Sequence, residues 1–390
     1  MRAGRIGRAA ANRLRAAVHP RPARGPLGRG LVLTGTVWAG GSSEPHEGAV
    51  LLDHRGVVTY VGPRTGLPDV SGLDRLGGAD SWIGPGIVDA HVHLAFGSVE
   101  QMLRAGLVAV RDLGAPQAMA SLWRSGHRRP ADERPMVAVS GPIITAVGGY
   151  PSQSWGRDGF AVFATSPAHA RQVVHRLAAA GADVIKIALE PGDAGWPVPG
   201  PAIVRAVVEA AHDAGLAVTA HALRADLVRR AVDAGVDELA HMPTERLSEA
   251  LIARIADSGV AVVSTLQTFF SAGLGREAGE NAARLHSAGV QLRYGTDLGN
   301  GGTRPGVDPR ELDRLADAGL GRLGALRAAT LNSARAPGIR NRTGHLRAGG
   351  LAALVLLPGN PLDEPGVWRT PTAVVADGRL LVNDGPDEDA

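Results

Sequence analysis

Asp213-Ala214-Gly215-Leu216-Ala217-Val218-Thr219-Ala220-His221 compresses one structural unit into nine residues: the tail of an alanine-rich helix, a glycine, then a β-branched run closing on a histidine. Glycine is the usual residue where a helix ends in a left-handed conformation, and the short apolar run behind it reads as a buried strand. The pattern recurs at Gly106 (RAGLVAVRD), Gly181 (AAGADVIKIAL), Gly235 (DAGVDELAH), Gly259 (DSGVAVVST) and Gly289 (SAGVQLRYGTD). Most of these glycines are 20 to 34 residues apart, the length of one strand plus one crossover helix. A first strand at Ile83 to His93 and a third at Met136 to Gly141 bring the count to eight, which predicts an α/β fold, a (β/α)8 TIM barrel, over residues 84–344.

Outside that span the texture changes to hydrophobic alternation with turn residues, at Leu31 to Trp38, Ala49 to Asp53, Val57 to Gly62, Ala352 to Leu357 and Thr372 to Val382. Either end alone offers too few strands to bury a face, so 31–83 and 345–390 are expected to combine into one small β-sandwich domain. Residues 1–30 carry eight arginines and no acid; they are expected to be a disordered basic extension, and they leave residues 31–390 at −5 despite a formal +3 for the chain. No repeated basic or aromatic motif supports nucleic-acid binding, and no apolar run approaches the ~20 residues of a membrane span. The expectation is a cytoplasmic enzyme with a small-molecule or short-peptide substrate, with homo-oligomerisation open. The chain has no cysteine, so thiolate nucleophiles, disulfides and thiolate metal sites are excluded together.

Lys186 is the only lysine among 41 basic residues. Flanked by Ile185 and Ile187, it reads as buried, where an ammonium is costly but a neutral amine is not. Such a lysine can act as a nucleophile, form a Schiff base, or react with CO2 to become a carbamate ligand. In a barrel, chemistry sits at the C-terminal ends of the strands. Those ends hold His91, His93, Asp112, Lys186, His221, His241 and Asp297. Strand alternation puts His91 and His93 on one face, turns Val184, Lys186 and Ala188 inward with Thr219 and His221, and leaves Ile185, Ile187 and Leu189 for the helices. The same alternation would turn Glu238 towards the helices and Arg293 into the interior. Four histidines, an aspartate and a carbamate can hold two divalent ions; imidazole and oxygen ligands suit zinc, with manganese and cobalt as alternatives.

With Gly84-Pro85-Gly86-Ile87-Val88-Asp89-Ala90-His91-Val92-His93, the Val184-Ile185-Lys186-Ile187 run, Thr219-Ala220-His221-Ala222, Glu238-Leu239-Ala240-His241, Gly295-Thr296-Asp297, Ala329 to Ala334 and Gly359-Asn360-Pro361-Leu362, the chain resembles the metal-dependent amidohydrolase superfamily over about 31–382, in its imidazolonepropionase-like and Xaa-Pro dipeptidase-like branch. The resemblance implies that His91, His93 and Asp297 bind one metal, that His221 and His241 bind a second, and that carboxylated Lys186 bridges them. True imidazolonepropionases use one metal without such a lysine, so Lys186 points to the two-metal, peptidase-like arrangement. The expected chemistry is hydrolysis of an amide bond in a peptide-like or N-acyl amino acid substrate by metal-activated hydroxide, with Asp297 as the proton carrier.

Three other readings stand beside it: a cyclic amide (imidazolone-like) hydrolase, a Schiff-base lyase that leaves the four histidines unexplained, and a catalytically silent barrel acting as a binding or assembly protein. For substrate contacts, the loop aromatics Tyr150, Trp155, Trp196, Phe269 and Phe270 are candidates for an apolar pocket, and Arg157 and Arg304 for gripping a carboxylate. Three positions depart from the family pattern: Tyr150 follows Gly148-Gly149 where relatives commonly carry histidine, Ala353 stands for aspartate in Ala352-Ala353-Leu354, and Gly350 for a lysine.

Overall fold

A computed structural model describes residues 24–126, 133–339 and 343–383. The N-terminal strands are β1 (Arg24–Pro26), β2 (Leu31–Val37), β3 (His46–Leu52), β4 (Val58–Pro63) and β5 (Asp74–Pro85). Next come β6 (Ile87–Val92), β7 (Leu107–Asp112), β8 (Met136–Val139), β9 (Ile143–Thr145), β10 (Ala161–Phe163), β11 (Ile185–Ala188), β12 (Val218–His221), β13 (Glu238–Leu239), β14 (Ala261–Val263) and β15 (Leu292–Arg293). The chain closes with β16 (Leu354–Leu357), β17 (Ala373–Ala376) and β18 (Arg379–Val382). Both ends enter one eight-stranded sheet in the order β1-β18-β17-β16-β5-β2-β3-β4, so the terminal segments do pair with each other. Of the basic extension expected at 1–30, residues 1–23 lie outside the described residues; Arg24 onward joins this sheet through β18.

The expected first strand, Ile83 to His93, is two strands. Gly86 divides them, because a Cβ there would lie 2.2 Å from Val108 Cγ1. Ile83 therefore belongs to β5, against β2 and β16, and only Ile87 onward pairs with β7. Most of β5 is illegible beforehand: Gly77, at φ +83, sits where a Cβ would meet the Thr34 carbonyl oxygen at 2.3 Å, and the register with β2 shifts beside it. A bulge in an edge-polar, glycine-bearing run does not read as a strand.

The middle of the chain is α/β with parallel sheets, β6-β7-β8 and β10-β9-β11-β12-β13-β14-β15. Backbone bonds run between them: Asp183 N donates to Val139 O (2.8 Å) on one side, and on the other Ala90 N donates to Tyr294 O (3.0 Å) and Asp297 N to His91 O (2.8 Å). The helix-ending glycines at 106, 181, 215, 235, 259 and 289 all have φ between +69 and +88, as the repeat predicts. Crossover helices begin where side chains satisfy their free amides: Ser166 accepts from His169 N (3.1 Å) ahead of Pro167–Ala179, and Ser248 from Leu251 N (3.2 Å) ahead of Glu249–Ser258. Ile185, Ile187 and Leu189 join the main core with helix residues such as Val204 and Val207, whereas Val184 packs separately with Leu113 and Ala240. No helix among the described residues is long and apolar enough to cross a membrane.

Alternation fails for Glu238. It does not face the helices but turns inward, accepting from Thr219 Oγ1 (2.8 Å) and pairing with Arg111 and Arg293. β13 stops at Leu239, so the turn at Ala240–His241 decouples His241 from the strand's parity. Arg293 does point inward, and Glu238 is its reason for being there.

Candidate metal centre

His91 and His93 close β6, and both present Nε2 to Asp297 Oδ1 at 3.3 Å. Asp297 arrives from the segment after β15 with φ +53, a left-handed conformation disfavoured for an aspartate. Neighbours hold it there. Its amide donates to His91 O, and Asp89 anchors the preceding Thr296 by accepting from Thr296 N (3.1 Å) and Thr296 Oγ1 (2.6 Å) while also accepting from His91 N (3.0 Å). Gly295 is required because a Cβ would lie 2.4 Å from Val263 Cγ1 and 3.1 Å from His91 Cβ. Gly114 likewise leaves room for the His93 ring, whose Cε1 would be 3.3 Å from an added Cβ.

The other sequence-predicted ligands come to the same place. His241 stands 4.4 Å from His91 and 4.5 Å from His221, ring centre to ring centre. Lys186, His93, His221, His241 and Asp297 line one cavity of about 200 Å³ with Phe96, Ile143, Tyr150, Trp155, Ala188, Gly299 and Asn300. Hydrogen bonds on the far side of the rings orient them: His91 Nδ1 donates to Ala240 O (2.8 Å), and His241 Nδ1 meets Thr265 Oγ1 at 3.1 Å. Such outer contacts set which nitrogen is free to ligate.

Donor chemistry fits divalent ions. His91 Nε2, His221 Nε2 and Asp297 Oδ1 are buried without hydrogen-bond partners, a costly state that an ion relieves; His93 Nδ1 is unpartnered too, on the ring whose Nε2 faces Asp297. Burial, reinforced by Lys186 and neighbouring histidines, holds His91, His221 and His241 well below the usual imidazole pKa, so they stand neutral as ligands must. His91, His93 and Asp297 form a compact group whose ligand atoms lie within 4.8 Å of one another. Their 3.3 Å spacings are those of adjacent ligands around one ion with bonds of roughly 2.1 Å. Burial also drives the Lys186 amine down to about 7, against the attraction of Asp297 and with help from Arg111, so a large neutral fraction is present near pH 7. The neutral amine is the form that reacts with CO2.

Beneath the cavity lies a buried Arg111–Glu238–Arg293 triad. Arg111 Nε also donates to Ala90 O (2.8 Å), bracing the backbone just before His91. Neither the triad nor the Asp89–Thr296 anchor was recognised in the sequence as part of the site, although Asp89 shares the strand parity of His91 and His93. Asp112, listed among the strand-end groups, accepts from Leu94 N (2.8 Å) and Gly114 N (3.2 Å) and thus ties loops rather than facing the cavity.

Of the expected substrate contacts, Tyr150 and Trp155 line the cavity, while Trp196 stacks behind Tyr150 at 6.2 Å. Phe269 packs on His241 at 5.9 Å; Phe270 lies under Arg314. Arg157 and Arg304 are exposed and do not line the cavity.

Comparison with known proteins agrees with this geometry. The chain is 26% identical over 403 residues to an uncharacterised protein of Mycobacterium bovis, covering 86% of this chain and 97% of that one. It is 27% identical over 381 residues to the imidazolonepropionase of Acidiphilium cryptum, covering 83% and 90%. Its fold superposes on a crystal structure of a Xaa-Pro dipeptidase with bound methionine in the active site, at TM-score 0.80 and 21% identity, covering 91% of this chain and all of that one. The sequence pattern of the amidohydrolase family matches residues 82–381, and the chain belongs to that family.

Proposed function

We propose that this chain is a metal-dependent hydrolase that cleaves a carbon–nitrogen amide bond at a two-ion centre. The carrying observation is the convergence of His91, His93, His221, His241, Lys186 and Asp297 around one cavity, with unpartnered donor atoms on four of them. In this reading β6 to β15 and their helices form the (β/α)8-type barrel, and residues 31–83 with 345–383 form the small β domain, 384–390 lying outside the described residues. His91, His93 and Asp297 would hold one ion, His221 and His241 the other, and Lys186, as a carbamate, would supply an anionic ligand to both. The carbamate forms when the neutral Nζ attacks CO2 and releases one N–H proton, converting a cation into an anionic bridge. Divalent ions there, zinc by ligand type, supply Lewis acidity that polarises an amide carbonyl and acidifies water. Asp297 accepts the proton of the attacking water on a carboxylate oxygen and returns it to the leaving nitrogen. The aromatic wall of Tyr150 and Trp155 orients the substrate and excludes bulk water.

A second reading, a one-ion hydrolase of a cyclic, imidazolone-like amide, is favoured by one fact: among the described residues only His91, His93 and Asp297 form a compact ligand group. One measurement separates them. Because Lys186 is the sole lysine, protein equilibrated with ¹³C-bicarbonate and zinc should give one side-chain carbamate resonance, absent in Lys186→Ala, with two zinc ions per chain. One ion and no carbamate selects the second reading; no bound ion rejects both and leaves a silent binding protein.

A further inference from the structure

We infer that the cavity accepts an uncharged aromatic amide and rejects one carrying a free carboxylate. This rests on the amide-hydrolase reading and narrows its substrate. The aromatic wall begins directly at the histidines: Trp155 lies 4.9 Å from His93 and Tyr150 lies 5.0 Å from His221. Phe96 meets Trp155 at 5.9 Å, Phe160 backs both, and Ile143 and Ala188 complete the apolar lining. At about 200 Å³ the space suits one ring and the amide it bears, being smaller than the ~300–1,000 Å³ of drug-sized sites.

Polar groups in this wall suit a neutral acceptor. Trp155 Nε1 donates to the Tyr150 hydroxyl oxygen at 2.9 Å. An indole N–H only donates, so the phenol proton remains free, and no described residue accepts it. The hydroxyl is thus a donor aimed at a carbonyl.

What a carboxylate would need is missing. Among the described residues no guanidinium lines the cavity, and Lys186, the one basic side chain that does, belongs to the ion bridge. Arg157 is exposed and its Nη2 donates to Gln153 O (3.2 Å); Arg304 is exposed as well. The rim is acidic. Glu190 Oε2 lies 3.9 Å from His221 Nε2, buried without a hydrogen-bond partner, in the combined field of Asp193, Asp226 and the opposing Arg224. Apart from the ions, which the scissile carbonyl must engage, a carboxylate desolvated here gains no partner for its charge.

The test uses the zinc-reconstituted full chain and two probes alike except in charge: N-benzoylglycinamide and N-benzoylglycine. Binding is read from tryptophan fluorescence, with Trp155→Phe assigning the signal among the six tryptophans. The neutral amide should bind at least ten-fold more tightly, and Asn300→Arg, at the exposed edge of the cavity, should narrow or reverse the preference. Equal or tighter binding of the anion, or no quenching by either probe at millimolar concentration, overturns the inference, as does an unchanged preference in Asn300→Arg. Zinc content of the same samples keeps the two ideas apart: absence of bound ion defeats the hydrolase reading, whereas bound ion with carboxylate preference defeats only this one.

Discussion

Replacing Glu238 with glutamine should destabilise the protein severely, because among the described residues Glu238 is the one carboxylate paired with both Arg111 and Arg293. Its side chain and that of Arg111 are fully buried, and Arg293 is 9% exposed. The isosteric amide keeps the volume and the Thr219 Oγ1 contact but leaves two guanidinium groups facing one another without a counter-charge. Removing one partner of a buried ion pair costs about 3–5 kcal/mol, against a total of ~5–15 kcal/mol for a typical protein. At a urea slope of ~3 kcal/mol/M this is a midpoint shift of about 1–2 M.

The pH dependence follows from the same contacts. Burial alone would raise the Glu238 pKa, but Arg111 and Arg293 outweigh it and hold the carboxyl below its ordinary 4.5. The folded state therefore binds fewer protons than the unfolded one around pH 4.5. The Glu238 contribution is fully present above that pH and fades as pH falls through the lower, folded-state value. Urea titrations of wild type and variant should differ by a constant amount from pH 6 to 8 and converge in acid. A second readout links the triad to the site: without a neutralised Arg111 bracing Ala90 O, zinc affinity should fall too. Replacing all three residues by apolar ones of similar volume, Arg111→Met, Glu238→Leu and Arg293→Met, should recover much of the stability. A Glu238→Gln protein within about 1 kcal/mol of wild type at pH 7 would refute the claim that charge compensation holds the interior beneath the cavity together.

Lys186→Ala should abolish hydrolysis and reduce bound zinc, with partial recovery on adding short carboxylates that stand in for the bridging anion; a fully active variant would exclude the bridging role. In the metal-free, unmodified chain, burial takes the Lys186 amine from 10.5 to about 7, so the unfolded state binds more protons across that window. Stability contributed by this group is full above pH 10.5 and lost as pH falls towards 7, a change of roughly 5 kcal/mol at ~1.4 kcal/mol per pH unit. Chemical denaturation of Lys186→Met should flatten that slope, and an unchanged slope would place the amine in water. Thr265→Val removes the hydroxyl that orients His241 and should weaken zinc binding about 10–100-fold in chelator competition; unaltered affinity would mean the ring is held by packing alone.

How much of this was legible beforehand depends on how local the cause is. Helix-ending glycines and the β-branched runs behind them are local, since a left-handed backbone and a buried strand each select their residues within a few positions. The candidate ligands were legible for a related reason: strand ends in such a fold share one mouth, so His91, His93, Lys186, His221, His241 and Asp297 could be named together without knowing any distance. β5 escaped because its pairing with β2 depends on a bulge around Gly77 and a carbonyl 43 residues away in Thr34.

Glu238 marks the limit of pattern reading. Alternation assigns it outward, but the chain turns after Leu239, and only the arrival of Arg111 and Arg293 from two other strands makes an inward carboxylate affordable. The same holds for the substrate wall. Sequence offered both loop aromatics and two arginines as candidates; the fold brought Tyr150 and Trp155 to the cavity, added Phe96, which the sequence had not singled out, and left Arg157 and Arg304 in solvent. By itself the sequence determined the order of elements and the residue types at the strand ends, because backbone conformation and side-chain periodicity are short-range. Tertiary structure alone decided which charges neutralise one another and which side chains face the cavity, because burial and Coulomb partners are set by residues far apart along the chain.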